Sequence, residues 1–103
     1  PENTSIIPGE IVPDLLLSGL NSLSNSTRLK ILRYISKEQL TATQISRKLR
    51  LRPPTVAHHI KSLRLAGLVN IHAVESQKEV FYSTRKEQVE RLSTLMRKFI
   101  SHD

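Results

Sequence analysis

Residues 41–69 read TATQISRKLRLRPPTVAHHIKSLRLAGLV, and the order of residue types in this stretch spells two helices joined by a short turn. Thr41-Ala42-Thr43-Gln44 has the form of a capping box, in which the Thr hydroxyl takes a backbone N–H and the Gln reaches back. Behind it Ile45 and Leu49 stand four apart, with Arg47, Lys48 and Arg50 outside, which predicts a short helix over 42–49. Pro53 and Pro54 hold the residues before them extended and interrupt the chain. Pro54 can then open a second helix, where a missing N–H costs nothing. Its inner face is Val56, Ile60 and Leu63, and Gly67 suits a left-handed stop after Ala66. The second helix is expected over 54–66.

Working outward, residues 1–12 contain Pro8-Gly9 with Asn, Thr and Ser, and read as an arm or linker ahead of a domain over 13–103. Pro13 suits a first helical turn, and Leu16, Leu20 and Leu23 follow at helical spacing, with Leu15 and Leu17 widening the face; a helix is predicted over 13–23. Ser26 or Thr27 can cap the next one. Leu29, Leu32 and Ile35 lie on one side of it, with Ile31 beside them, and it runs to about Ser36. After Leu68 the period changes to two. Val69, Ile71 and Ala73 alternate with Asn70 and His72, Glu75-Ser76-Gln77-Lys78 supplies a polar turn, and Val80-Phe81-Tyr82 is β-branched and aromatic as a returning strand would be. This predicts a hairpin over 69–84, which must rest on the helices to be stable. From Thr84 the helical period returns, with Val89, Leu92, Met96 and Phe99 stepping by three, four and three beside Leu95 and Ile100, for a helix over 85–101.

Composition bounds what such a chain can do. At 103 residues it is one domain, burying only about two-thirds of the surface its unfolded chain exposes, with little room for a deep substrate cavity. The chain has no Cys, which removes disulfides, thiolate catalysis and Cys-ligated zinc. No apolar run approaches the ~20 residues of a membrane span, and no basic stretch precedes an apolar one as in a signal peptide. The net charge of +7 is unevenly placed. Residues 28–68 hold ten Lys and Arg against Glu38 alone, whereas residues 1–27 hold none. Such a concentration is the electrostatic footprint of a nucleic-acid contact, because neutralising phosphates releases counterions.

Helix, helix, helix–turn–helix, β-hairpin and helix, with positive charge on and before the second helix of the pair, is the layout of a mainly α winged helix–turn–helix. The run from Ile45 to Val69 also resembles the ArsR-type family of bacterial regulators: Leu49 before the turn, Pro54-Thr55-Val56, the pair His58-His59, and the closing Ala66-Gly67-Leu68-Val69. Arg28-Leu29-Lys30-Ile31-Leu32 and Val80-Phe81-Tyr82 fit as well, so that the resemblance spans about 26–84. It implies a cytoplasmic transcriptional regulator. Two positions depart from the family pattern. Arg52 stands where a small polar residue is usual, and Ala57 where Ser is frequent, so the family's operator preference does not carry over.

With Val56, Ile60 and Leu63 inward, the exposed face of helix 54–66 holds Pro54, Ala57, His58 and Lys61, flanked by Thr55 and Ser62. His58 and Lys61 are the candidates for base edges, since both can donate to guanine N7 or O6. Arg50, Arg52, Thr55 and His59 are candidates for phosphate contacts, which position without reading sequence. Lys78 at the hairpin tip is a candidate for the flanking backbone. Each has a plainer alternative: His59 as a packing histidine, Thr55 bonding its own helix start, Lys78 solvated between Glu75 and Glu79.

Helical readers of this kind bind as two-fold dimers. The apolar positions available for pairing are Leu16 and Leu20 on the first helix and Val89, Leu92, Met96 and Phe99 on the last, and the resemblance also assigns dimerisation to these two helices. No cofactor is expected. A metal-sensing role has little to draw on, since the last helix offers only His102 and Asp103, and adjacent His58 and His59 project about 100° apart. His72 and Ser76 lack an orienting acid and an oxyanion device, so catalysis is not expected. The expectation is therefore a sequence-specific double-stranded DNA-binding regulator acting as a homodimer, with repression the expected mode. The chain begins with Pro1, which raises the expectation of a segment whose effector domain lies N-terminal to it. The competing class is a winged helix used for protein contact or dimerisation without specific DNA, for which an acidic or neutral second helix would be the mark.

Overall fold

The computed structural model describes residues 10–76 and 78–101. Most of the expected arm, Gln77 of the hairpin turn, and His102 and Asp103 lie outside them. The elements run α1 (Asp14–Leu23), α2 (Ser26–Lys37), β1 (Leu40–Thr41), α3 (Ala42–Leu49), α4 (Pro53–Leu65), β2 (Val69–Ala73), β3 (Val80–Thr84) and α5 (Lys86–Ile100).

Local chemistry accounts for most boundaries. Pro13 is the N-cap of α1 rather than its first residue, and its carbonyl accepts from Leu17 N–H at 3.1 Å. Only Ser24 and Asn25 separate α1 from α2. Asn25, not Ser26 or Thr27, caps α2, its side-chain oxygen accepting from Arg28 N–H at 2.9 Å; the tight link leaves Asn25 as the extended residue ahead of the first turn. The capping box at α3 forms as expected, with Thr41 Oγ1 accepting from Gln44 N–H at 3.1 Å and Gln44 Oε1 accepting from Thr41 N–H at 2.9 Å. Gly67 takes φ +72° past the end of α4, a conformation that favours glycine.

The core gathers where α2, α3 and α4 converge under the sheet, around Ile31, Ile35, Ile45, Val56, Leu63 and Leu68. Leu29 is not part of it and is 51% exposed. At about 100° per residue it lies about 160° from Ile31 round the helix, beyond the arc that Ile31, Leu32 and Ile35 bury. Two buried polar groups join distant elements. Thr84 Oγ1 donates to the Leu32 carbonyl at 2.7 Å, fixing the end of β3 to α2. Gln88 Nε2 donates to the Ala66 carbonyl at 3.4 Å, fixing the start of α5 to the end of α4.

The expected hairpin is a three-stranded antiparallel sheet in the order β1-β3-β2. β2 and β3 pair from Val69↔Thr84 to Ala73↔Val80. β1, just before α3, adds Leu40↔Tyr82 and Thr41↔Phe81 on the other edge of β3. A two-residue strand has no period to read, so only the fold reveals it. His72 Nε2 lies 2.8 Å from Ser83 Oγ across the β2–β3 pair. Ile71, expected to alternate inward, is exposed, since burial along β2 falls off after Val69.

Candidate nucleic-acid interface

α4 is presented by the turn that precedes it. α3 ends on Arg50, which adopts the left-handed conformation with φ 55° and ψ 44°. Leu51 N–H reaches back to the Ser46 carbonyl at 3.1 Å, the long bond of a Schellman stop, and Ser46 Oγ donates to the Leu51 carbonyl. The chain then leaves through extended Arg52, the N-cap of α4, whose side chain makes no capping bond. Its carbonyl accepts from Thr55 and Val56 N–H at 3.0 and 3.2 Å. α4 begins at Pro53, one residue earlier than expected, and both prolines sit in its first turn, where neither needs an N–H.

Val56, Ile60 and Leu63 are buried, so α4 turns the opposite face outward. On it Pro54, Ala57, His58 and Lys61 are exposed, with Thr55 also exposed and Arg50 and Arg52 exposed at the N-terminal end. Among the described residues no carboxylate pairs with Arg50, Arg52 or Lys61; the ion pairs are Lys48–Glu38 and Arg85–Glu87, each at 4.0 Å. Lys78 is exposed in the turn between β2 and β3.

Two expected contact residues sit differently. Ser62 is on the flank of α4 facing α1, where Ser22 Oγ donates to its carbonyl at 3.4 Å and Ser18, Asn21 and Ala66 share a shallow cleft with it. His59 is half-buried, with Nδ1 enclosed and without a hydrogen-bond partner. Burial, then the nearby Arg28 guanidinium and His58, hold its imidazole below its usual pKa of 6.5. Arg28 is itself occupied: Nε donates to the Ser22 carbonyl at 2.6 Å and Nη2 to the Asn21 carbonyl at 3.3 Å, closing the C-terminal end of α1. His58 stands edge-on to His59, ring centres 5.8 Å apart, and remains exposed.

The Helix-turn-helix domain family matches residues 23–72, from the end of α1 to β2. An ArsR-like transcriptional regulator from Rhodococcus sp. RHA1 superposes with a TM-score of 0.72 at 26% identity, over 81% of this chain and 77% of that one. Reduced HlyU from Vibrio cholerae gives 0.65 at 26% identity, over 86% and 90%. The chain has the winged helix–turn–helix fold and is similar to ArsR-like regulators. The homodimeric winged helix-turn-helix DNA-binding domain of a possible ArsR-family regulator from Mycobacterium bovis has the same fold, with a TM-score of 0.68 at 20% identity over 87% and 85%. No curated protein matches the sequence.

In the winged helix–turn–helix fold, α4 occupies the position of the recognition helix and β2–β3 that of the wing. One exposed cation of the recognition helix escaped the sequence reading. Arg64 lies three residues after Lys61 and seven after Ala57, on their side of α4, and is exposed; the three–four–seven spacing was the available signal. The outer helices are less open than their sequence suggested. Leu16 and Leu92 are 3% and 2% exposed in the single chain. The surface left beside them is Leu15, Leu17 and Leu20 on α1, with half-buried Val89 and Phe99 and exposed Met96 and Ile100 on α5. Among the described residues no group of three His, Asp or Glu is placed to hold a metal ion, and no helix is long and apolar enough to cross a membrane.

Proposed function

We propose that this chain is a homodimeric, sequence-specific regulator of transcription that reads double-stranded DNA through α4, or the DNA-binding domain of a longer one. The observation that carries this is the outward face of α4. His58 and Lys61 are exposed above a rigidly buried inner face, and Arg50 and Arg52 flank the end that enters a groove first. His58 and Lys61 read base edges in the major groove. Arg50, Arg52 and Thr55 hold phosphates and fix register, and Lys78 on the wing reaches the flanking backbone. His59, with one nitrogen enclosed, offers only its other ring edge to a phosphate. The exposed leucines of α1 together with Met96, Phe99 and Ile100 of α5 pair with a second copy, which sets two recognition helices about one helical turn apart along DNA. Acting on DNA in this way puts the protein in the bacterial cytoplasm, and a dimer seated on an operator represses by occupying it.

The test is a salt series of binding to random duplex and to a duplex selected from a random pool. Affinity is expected to fall steeply with salt on both, with a margin of about 10³ or more kept for the selected site. A steep fall with no margin would reduce the domain to a non-specific DNA holder, and no binding to either would favour a protein-contact role.

A further inference from the structure

Away from α4 the domain carries a second basic feature, a cleft of about 720 Å³ between α2 and α3. Its apolar side is Tyr34 and Leu49, both half-buried and packed against the core, so this floor is held in place. Lys30, Arg33 and Lys37 line it from α2, and Lys48 and Arg50 from α3. Among the described residues Glu38 is the one carboxylate in the lining, with Oε1 4.0 Å from Lys48 Nζ. Lys48 Nζ also stands 5.4 Å from the centre of the Tyr34 ring. A cation is thus poised over an aromatic face, beside an excess of further cations.

We propose that this cleft binds a small aromatic carboxylate. Its size falls within the ~300–1,000 Å³ of small-molecule sites. Once Lys48 turns from the ring to the ligand's carboxylate, the Tyr34 ring and Leu49 offer a stacking floor for an aromatic body. Lys48 and Arg33 offer charge-assisted donors to a carboxylate, with the Arg fork able to take both oxygens. A phosphate alone would leave the apolar floor unused. No residue of α4 lines the cleft, and the one residue that it shares with the proposed DNA interface is Arg50.

Occupancy has a route to that face. Arg50 contributes its side chain to the cleft and its backbone to the turn before α4, and it is the one non-glycine residue with positive φ among those described. An L residue rarely adopts this conformation, and such positions are suited to a change in state. Engaging the Arg50 guanidinium therefore biases the 50–53 turn and the angle of the recognition helix. This coupling rests on the DNA-binding role proposed above; the site itself does not.

The experiment titrates the full chain with 2-naphthoate, following backbone amide shifts by NMR. Saturable shifts at Tyr34, Lys48, Leu49 and Arg50 are expected. The double variant Arg33→Gln/Lys48→Gln, both on the surface and outside the α4 interface, should weaken binding about tenfold or more. Neutral 2-naphthylmethanol should not bind, and inorganic phosphate should not displace the naphthoate. Shifts centred on α1 and α5, unchanged affinity in a folded double variant, or displacement by equimolar phosphate would overturn the site; the last would leave bare charge, as a seat for DNA backbone would show. Saturating naphthoate should change affinity for the selected duplex by about fivefold or more, and the double variant should abolish that change. An unchanged duplex affinity with naphthoate bound overturns the coupling alone. Failure to bind duplex without naphthoate overturns the proposed function and leaves the site standing.

Discussion

Gly19 on α1 and Leu92 on α5 meet with no room for a side chain on the first: a Cβ at Gly19 would lie 2.5 and 2.6 Å from the two methyl carbons of Leu92. Leu92 is enclosed and cannot swing clear. This close approach brings the outer helices together and sets which of their leucines remain for a partner. Gly19→Ala gains about 1 kcal/mol of helix propensity but overpacks the contact at a cost of about 1–3 kcal/mol, so a net loss is expected in urea unfolding. In a Leu92→Ala background the same substitution should be neutral or stabilising. Equal effects in both backgrounds would show that the contact is not what excludes the side chain.

Removing the buried hydroxyl that ties the wing to α2 should cost more than its size suggests. Thr84→Val keeps the shape but loses the 2.7 Å bond to the Leu32 carbonyl, at about 1–2 kcal/mol. Denaturant midpoints at constant slope measure it, and a change below ~0.5 kcal/mol would mean that the bond contributes little beyond solvation.

His59 predicts a pH dependence of stability. Its folded pKa is held below the ordinary 6.5, by burial first and then by Arg28 and His58. Between the lowered value and 6.5 the unfolded chain binds more protons at this site than the folded one, so stability rises with pH. The contribution is fully present above the unfolded value and is lost as pH falls through it, levelling off below the folded one. Urea midpoints at pH 7.5 and below 6 should differ in the native chain and differ less in His59→Gln. An equal fall in both proteins would assign the effect to other groups.

On DNA the α4 residues should separate by role. His58→Ala and Lys61→Ala are each expected to relax preference at one base position by about 1–3 kcal/mol, whereas Arg52→Ala should weaken all sequences alike and lower the salt slope by about 1. Binding to a panel of single-base variants of a selected site distinguishes them. Uniform weakening by all three would return His58 and Lys61 to the phosphate contacts.

Dimerisation is tested where the single chain leaves its apolar surface open. Met96→Asp combined with Leu20→Asp places two charges on that surface while sparing enclosed Leu16 and Leu92. Sedimentation should show a monomer, circular dichroism an unchanged helical signal, and a two-half-site duplex should lose its affinity gain over a single half-site. A dimer of native mass would move the interface elsewhere.

The amino-acid sequence alone determined what depends on neighbours along the chain. The box at Thr41-Gln44, the two prolines before α4, Gly67 after it, and the three-residue and four-residue spacing of Val56, Ile60 and Leu63 act within a few residues. They therefore specify the helix pair, the recognition face and the charge on it without reference to anything distant. Tertiary structure decided what depends on residues far apart in sequence. β1 exists because β3 comes to lie beside Leu40 and Thr41. Arg28, one more cation in the composition, closes the end of α1 because the link at Asn25 folds it back onto Asn21 and Ser22. Leu16 and Leu92 share a periodic stripe with Leu20 and Met96, and only the close approach at Gly19 separates the pair inside the domain from the pair left at its surface. Periodicity states that a face is apolar; what covers that face is fixed by packing between helices some seventy residues apart in the chain.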